Sequence, residues 1–433
     1  MEKIYGIDLG TTNSLLGLDG KLLTGLVPSV VDTKSGVAGK SVRHNIDAAR
    51  SFKCDISLSE EGALSVAASA CVLSQLVKES KADVHDVVIS VPAYFSEVQR
   101  QATIEAAKRA HLNVVSLINE PTAAAIYASS SRNSLSVVFD LGGGTFDVSI
   151  IDSRFGDYDV QATDGCILGG DNFDAAIRDW AIKEGHIRMH MVRAQDLVRL
   201  KWECTDLKVR VQKSRQPERL DLTSYGAGTV MLTPEVYQQI MELTFHDAIV
   251  KTKKIIGESI PTDEPYEIIL VGGSTRCPYL REWIAKELNH EVTELFYDPD
   301  CIVAQGASVY ATMIGDGTAH IKVSDVTKAL SIGLSNGMVE TVIEQNSKIP
   351  VQESIVAYNH EKSDQLMLEL YQGDNIVAAN NECIGTLIYK YGREVEAKEG
   401  LVDILVNVKE DGTIDLSCKE IGKEPQSITL IRK

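Results

Sequence analysis

Gly6-Ile7-Asp8-Leu9-Gly10-Thr11-Thr12-Asn13-Ser14 and Val138-Phe139-Asp140-Leu141-Gly142-Gly143-Gly144-Thr145-Phe146-Asp147 are built alike. Each reads as an apolar strand running into Asp-Leu-Gly and then into small hydroxyl or glycine residues. A strand ending in Asp at a tight glycine turn presents a carboxylate and a row of backbone N–H groups to one point. Such amides can cradle phosphate oxygens. The carboxylates can hold a hydrated Mg²⁺, which keeps several of its waters. Two such turns facing each other would clamp a nucleoside triphosphate. A third segment, Tyr266-Glu267-Ile268-Ile269-Leu270-Val271-Gly272-Gly273-Ser274-Thr275-Arg276, reads as a buried strand ending in Gly-Gly-Ser. Pro278 then opens a helix over Tyr279–Leu288, a placement that helices favour. The glycines would let a flat group such as adenosine lie against the backbone. Gly39-Lys40-Ser41 is not a P-loop, because Lys34 stands where the first glycine is required.

The chain has 433 residues, enough for two to four units with proper cores. Hydrophobic content of 44% and charged content of 24% are ordinary for a soluble globular protein. Net charge is −18 and the pI about 5.0, which argues against nucleic-acid binding through a basic surface. The 8 cysteines are scattered without a Cys-x-x-Cys, so no disulfide framework is expected. No signal-peptide shape opens the chain, and no stretch is long and apolar enough to span a bilayer. A cytoplasmic protein is the expectation.

Residues 1–315 alternate strand-like and helix-like segments, an α/β pattern. Asp86–Ala93 and Val114–Ile118 read as strands. Ser96 caps a helix with Gln99 placed for a capping box, and Pro121-Thr122-Ala123 opens another helix. Residues 171–260 are more helical and suggest an outer subdomain. From about 325 onward the helical period vanishes. Leu366–Tyr371, Val402–Val408 and Thr413–Lys419 run as strands do, and Asp411-Gly412 is a hairpin signal. The expected division is 1–315, a linker over 316–325, and an all-β module over 326–433.

Taken together, Asp8–Ser14, Ile89-Ser90-Val91-Pro92-Ala93-Tyr94-Phe95, Ile118-Asn119-Glu120-Pro121-Thr122-Ala123-Ala124-Ala125, Asp140–Asp147, Gly169-Gly170-Asp171-Asn172-Phe173-Asp174 and Gly272–Arg276 resemble the signatures of the seventy-kilodalton heat-shock chaperones, the DnaK type. Their order and spacing match as well, and the wording around Val88–Arg100 and Leu370–Gly373 is nearest to the HscC-like bacterial branch. The resemblance implies an actin-like (ribonuclease H-like) two-lobed ATPase domain, an apolar linker, a β-sandwich that holds extended or unfolded polypeptide, and a helical lid. It implies ATP or ADP as ligand with Mg²⁺, and K⁺ as a further candidate cation. Asp8 and Asp140 would hold the metal through water. Gly10, Thr11, Thr12, Asn13, Gly142, Gly143 and Gly144 would face the phosphates, with Gly169, Gly170, Lys208, Gly272, Gly273, Ser274 and Arg276 around the rest of the nucleotide. Thr145 and Asp147 would line the attacked phosphate, Glu120 would organise metal and water, and Lys53 would orient the attacking water. Pro92 and Arg100 would relay nucleotide state to the linker. Leu334, Val356, Leu366 and Leu368 would contact peptide.

The departures from the family pattern are informative. The region between Gly20 and Val88 is short, so the outer part of the first lobe is trimmed. Thr205 and Val209 occupy the positions of a Glu and an Arg that bracket adenine, which removes a guanidinium stack worth about 0.5–2 kcal/mol and predicts weaker nucleotide binding. Ser116 replaces the arginine that receives J-domain cochaperones, which puts cochaperone and exchange-factor use in question. Ile321-Lys322-Val323-Ser324 is less apolar than the family linker. The first loop of the β module, Leu334–Met338, is short. The chain stops at Lys433, where a lid would begin, which predicts fast peptide exchange.

Several residues carry two readings. Leu366 and Leu368 share one face of a strand and fit either pocket or sandwich core. Lys53 fits either a catalytic or a surface lysine. His186 and His190, four apart in a helical stretch, could grip a metal, but with no third ligand they read as a solvated face. Cys166 and Cys204 read as small buried hydrophobes. The function expected is a weak, slowly turning-over ATPase acting as a chaperone. A non-cycling ATP-binding adaptor is the alternative, and a small-molecule kinase of the same superfamily is the more distant one.

Overall fold

A computed structural model describes residues 3–42, 45, 48–57, 62–128, 134–154, 157–292, 297–316, 323–409, 412–423, 426–427 and 430–431. Its frame is a pair of similar sheets. In the first, Ile4–Asp8 is flanked by the antiparallel Asn13–Leu18 and by the parallel Asp86–Val91, which pairs on to Asn113–Asn119. In the second, Leu135–Leu141 is flanked by the antiparallel Phe146–Asp152 and by the parallel Glu267–Val271. The inner strands are nearly continuous apolar runs, Val87-Val88-Ile89 and Val137-Val138-Phe139 among them, as parallel strands covered on both faces require.

Two helices, Glu120–Ala128 and Ile302–Gly315, fill the space between the sheets. Their buried Ala123, Ala124, Ala307 and Ala311 meet Val88 and Ile118 from one sheet and Val138, Ile151 and Ile269 from the other. Small residues let the two helices touch. A Cβ on Gly306 would stand 1.7 Å from the Ala123 carbonyl oxygen, and one on Gly6 would stand 2.1 Å from the Ser308 nitrogen. Outside this frame, Glu97–Arg109 starts at the expected capping box: Ser96 Oγ accepts from the Gln99 N–H, and Gln99 Oε1 accepts from the Ser96 N–H. The second lobe carries Gly170–Glu184, Ala194–Ser214, Pro234–Thr244 and His246–Ser259, with a small hairpin, Glu218–Asp221 and Thr229–Leu232. The helical stretch expected around His186 and His190 ends at Glu184. Both histidines are exposed, His186 in a turn and His190 in a short 3₁₀ segment, so they do not share a helix face.

The all-β module packs a 5-stranded sheet against a 4-stranded one. Ser363–Gln372 and Glu382–Val395 lie at the centre of the first, Val402–Val408 and Ile414–Glu420 at that of the second. Asp411 lies outside the described residues, and so do Ile321 and Lys322 of the linker. The strand Val323–Thr327 runs through the boundary expected between 325 and 326. It pairs in parallel with Tyr158–Cys166 of the second lobe and antiparallel with Ser347–Ile349 of the β module. One sheet of 6 strands therefore contains strands from both parts. The first lobe is docked too. Val98 is buried within the sandwich core, Ser96 Oγ donates to Glu382 at 2.8 Å, and the Glu97 N–H donates to Gln372 at 3.0 Å. Among the described residues, no helix is long and apolar enough to cross a membrane.

Gly306→Ala gains helix propensity but drives a methyl group into backbone. We predict a net loss of about 1–3 kcal/mol, read as a lower denaturant midpoint with the slope unchanged.

Candidate functional site

The two Asp-Leu-Gly turns face each other at the mouth of a cleft of ≈ 450 Å³. Asp8, Gly10, Thr11, Thr12 and Asn13 line one wall, and Asp140, Gly142, Gly143 and Thr145 line the other. The turns nearly touch: a Cβ on Gly143 would lie 1.9 Å from Thr12 Oγ1. Gly144 sits against Thr11 and Cys54. Gly169 packs on the Gly143 backbone, and the amides of Gly170 and Asp171 donate to the Gly142 and Gly143 carbonyls at 3.0 and 2.7 Å. The third motif closes the far end. Ser274 Oγ donates to the Gly142 carbonyl at 2.9 Å. Gly272 has φ +84°, and a Cβ there would strike the Leu141 carbonyl oxygen at 2.4 Å, so only glycine fits.

Charge is concentrated at the floor. Lys53 and Glu120 form a buried ion pair, which resolves Lys53 away from the surface-lysine reading. Asp8, Asp140 and Asp147 stand around this pair. Burial, then the Glu120 charge, pushes the Asp8 carboxyl up to about 7 and that of Asp147 up to about 8. Asp140 is raised well above the carboxylate range by the same two causes in the same order. Burial pulls the Lys53 ammonium down, but Glu120 and Asp8 more than offset it, and the net direction is up. Ser90 Oγ donates to Asp8 at 3.0 Å, and the Tyr94 N–H donates to Asp147 Oδ1 at 3.0 Å. The other oxygen of Asp147 is buried without a partner.

Lys53 faces Asp8, Glu120, Asp140 and Asp147, and Lys328 adds positive charge beside Asp147; four buried carboxyl groups still outnumber two ammoniums, which leaves negative charge that further positive charge would relieve. Among the described residues, no group of three or more His, Cys, Asp or Glu is close enough to bind an ion directly. A cation reached through its own waters suits this donor set, and that is the habit of Mg²⁺.

Helix Ala194–Ser214 presents Thr205, Lys208, Val209 and Gln212 to the cleft at helical spacing, opposite the Gly272–Arg276 turn. The cations expected around a base have protein partners. Lys208 Nζ lies 2.5 Å from Asp174 and over the Phe173 ring, and Arg276 is bonded to Asp298 and to Asp300. The sequence reading did not include Asp174, Asp298 or Asp300 as partners. The Asp298-Pro299-Asp300 triplet just before the Ile302–Gly315 helix was the available signal. It also missed a bridge across the cleft mouth. Ser51 Oγ donates to Asp171, Lys201 lies 3.5 Å from Asp171, and the Arg50 guanidinium lies 5.0 Å from the Trp202 ring centroid. These contacts join the segment before Lys53 to the helices of the second lobe.

The remaining candidates lie elsewhere. Pro92 and Arg100 are buried, and Arg100 lies beside the docked β module. Arg100 donates to Asn119 at 2.7 Å, and its guanidinium lies 3.3 Å from where a Cβ on Gly412 would stand. Ser116 is half-buried, with its hydroxyl bonded to the Leu117 carbonyl. Cys204 is fully buried and Cys166 packs against the same core. In the β module, Leu366 is only 2% exposed and belongs to the sandwich core, so of its two readings the structure takes core. Leu368 packs partly buried against that core. Val356 alternates outward from Ile355 and Ala357 and is 50% exposed, and Leu334 is exposed on its hairpin. Leu366 and Leu368 thus face the sandwich core, whereas Val356 and Leu334 face outward.

Paired α/β lobes around a carboxylate-floored, glycine-walled cleft, with a strand joining them to an all-β module, define the class. Over residues 29–432 the chain matches the family model described as Hsp70 protein, and it belongs to the Hsp70 family. That family has actin-like ATPase lobes followed by a β-sandwich. Its members are generally ATPases and ATP-dependent chaperones that typically bind ATP or ADP with Mg²⁺, and they bind unfolded polypeptide and cochaperones.

Two predictions follow from this geometry. Trp202→Leu removes the ring under Arg50, worth about 0.5–2 kcal/mol. Release of a fluorescent ADP analogue should quicken by roughly 2- to 30-fold by the same range. The raised carboxyls set a pH window. Asp8 and Asp147 keep protons in the fold that the unfolded chain gives up near its ordinary value of 3.8. The stability they contribute is therefore full below that value and lost as pH rises through about 7 to 8. Binding of Mg·ADP at neutral pH should release protons, seen as a dependence of calorimetric heat on buffer ionisation enthalpy.

Proposed function

We propose that this chain is an ATP-dependent chaperone in which ATP binding and hydrolysis in the cleft control the binding of extended or unfolded peptide by the β module. The observation that carries this reading is the convergence of both Asp-Leu-Gly turns on a floor of buried carboxyl groups into which the Lys53–Glu120 ion pair is set. The amides around Gly10–Asn13 and Gly142–Gly144 would hold the triphosphate oxygens. Asp8 and Asp140 would bind Mg²⁺ through its waters, and the ion would offset phosphate charge. Glu120 fixes the Lys53 side chain, so the ammonium stands ready to orient a water toward the terminal phosphate. Thr145 and Asp147 would face the same phosphate. Chemistry of this kind is positioning and charge neutralisation.

The sheet shared through Val323–Thr327 supports communication between the parts. With Thr205 and Val209 in place of a charged bracket, we expect modest nucleotide affinity and slow turnover. Docking of J-domain cochaperones is expected to be weak, given Ser116. A second reading, an ATP-binding adaptor that holds one partner without cycling, draws on one observation: Leu366 belongs to the sandwich core, whereas Val356 is exposed.

The test is Mg-ATP turnover by the full chain, with and without an unfolded polypeptide. We expect a slow rate that rises with polypeptide and falls by at least about 100-fold in Lys53→Ala, the range for a lost acid–base or positioning group. Tight ATP binding without turnover would favour the adaptor. Absence of ATP binding would overturn both readings.

A further inference from the structure

Among the described residues, the side of the cleft proposed to hold the base contains one half-buried polar side chain without a protein partner. Thr205 Oγ1 donates to the Lys201 carbonyl at 3.0 Å, and Lys208 is held by Asp174. Ser274 donates to the Gly142 carbonyl, and Arg276 is held by Asp298 and Asp300. Tyr237 meets Cys277 Sγ at 3.3 Å. Gln212 lines the same cleft, half-buried, and its carboxamide has no protein partner among the described residues. Lys213 beside it is exposed.

Helical geometry adds direction. Thr205, Lys208, Val209 and Gln212 follow the i, i+3, i+4, i+7 spacing of one helix face. Val209 offers a flat group an apolar wall, and Gln212 stands one turn further along the same stripe. A carboxamide carries a donor and an acceptor side by side. It can pair with the N6 amino group and ring nitrogen of adenine, as glutamine does on DNA. Turned over, it can donate to O6 and accept from N1–H of guanine. A site rejects an analogue strongly, on the order of 10⁴–10⁵, when its polar groups are fixed in one sense. Among the described residues, no side chain fixes the sense of Gln212.

We propose that Gln212 is the base-reading residue of this chain and that its free rotation lets the cleft accept guanine as well as adenine nucleotides. The inference rests on the nucleotide reading of the cleft and adds the base selectivity.

The test is calorimetric affinity of the full chain for Mg·ADP and Mg·GDP. We expect the wild-type values to fall within about tenfold of each other, since one methylene-sized or unfixed contact discriminates weakly. Gln212→Leu, similar in size but without the amide, should weaken both by about 3- to 10-fold, the value of a neutral hydrogen bond. Gln212→Glu is a fixed acceptor and faces two donors on guanine, N1–H and N2–H₂, so it should move the ADP/GDP ratio toward GDP. A merely structural role would leave that ratio alone. Wild-type discrimination beyond tenfold, no loss in Gln212→Leu, or an unmoved ratio in Gln212→Glu would each overturn the proposal. Binding of neither nucleotide by the wild-type chain would instead overturn the nucleotide reading itself, and this inference with it.

Discussion

The contact on which the molecule depends is the one between helices Glu120–Ala128 and Ile302–Gly315. Glycine at 306 and alanine at 123 bring their axes close enough for one small-residue layer to serve both sheets. With larger residues there, the sheets would stand further apart. The turn around Gly10–Asn13 and the turn around Gly142–Thr145 could not then meet as Gly143 and Thr12 do. The cleft is thus set by packing behind it. Glu120 opens one of these helices, so the same element that spaces the lobes also fixes Lys53.

Spacing the lobes this closely has an electrostatic cost. Each turn brings its own carboxylate, and burial makes every one of them reluctant to ionise. A site of this kind is held in balance by what enters it. On the proposed reading, a hydrated cation with phosphate would relieve the charge that protons would relieve in the empty site. The polar groups on helix Ala194–Ser214 and the Gly272–Arg276 turn follow the opposite logic, since most of them are satisfied by the protein itself.

Much of this was legible in the sequence for identifiable reasons. Asp-Leu-Gly after an apolar run is a local signal, and the turns, the Gly-Gly-Ser motif, the capping box at Ser96 and Gln99, and the change to strand periodicity after about 325 all depend on neighbours in the chain. What escaped reading depends on partners far apart. The pairs Lys208–Asp174 and Arg276–Asp298, the stack of Arg50 on Trp202, and the docking of Val98 into the sandwich have no signature within any short window. Leu366 and Leu368 show the limit of periodicity. Alternation put both on one face but could not say whether that face looked to core or to ligand.

The strand Val323–Thr327 is gripped on both edges, by Tyr158–Asp159 on one side and Ser347–Ile349 on the other. Its hold is made of peptide groups, which every residue except proline supplies in full. A joint of this sort is insensitive to vocabulary. Backbone pairing of this kind tolerates any residue but proline, and it holds the two surfaces that the strand unites in register.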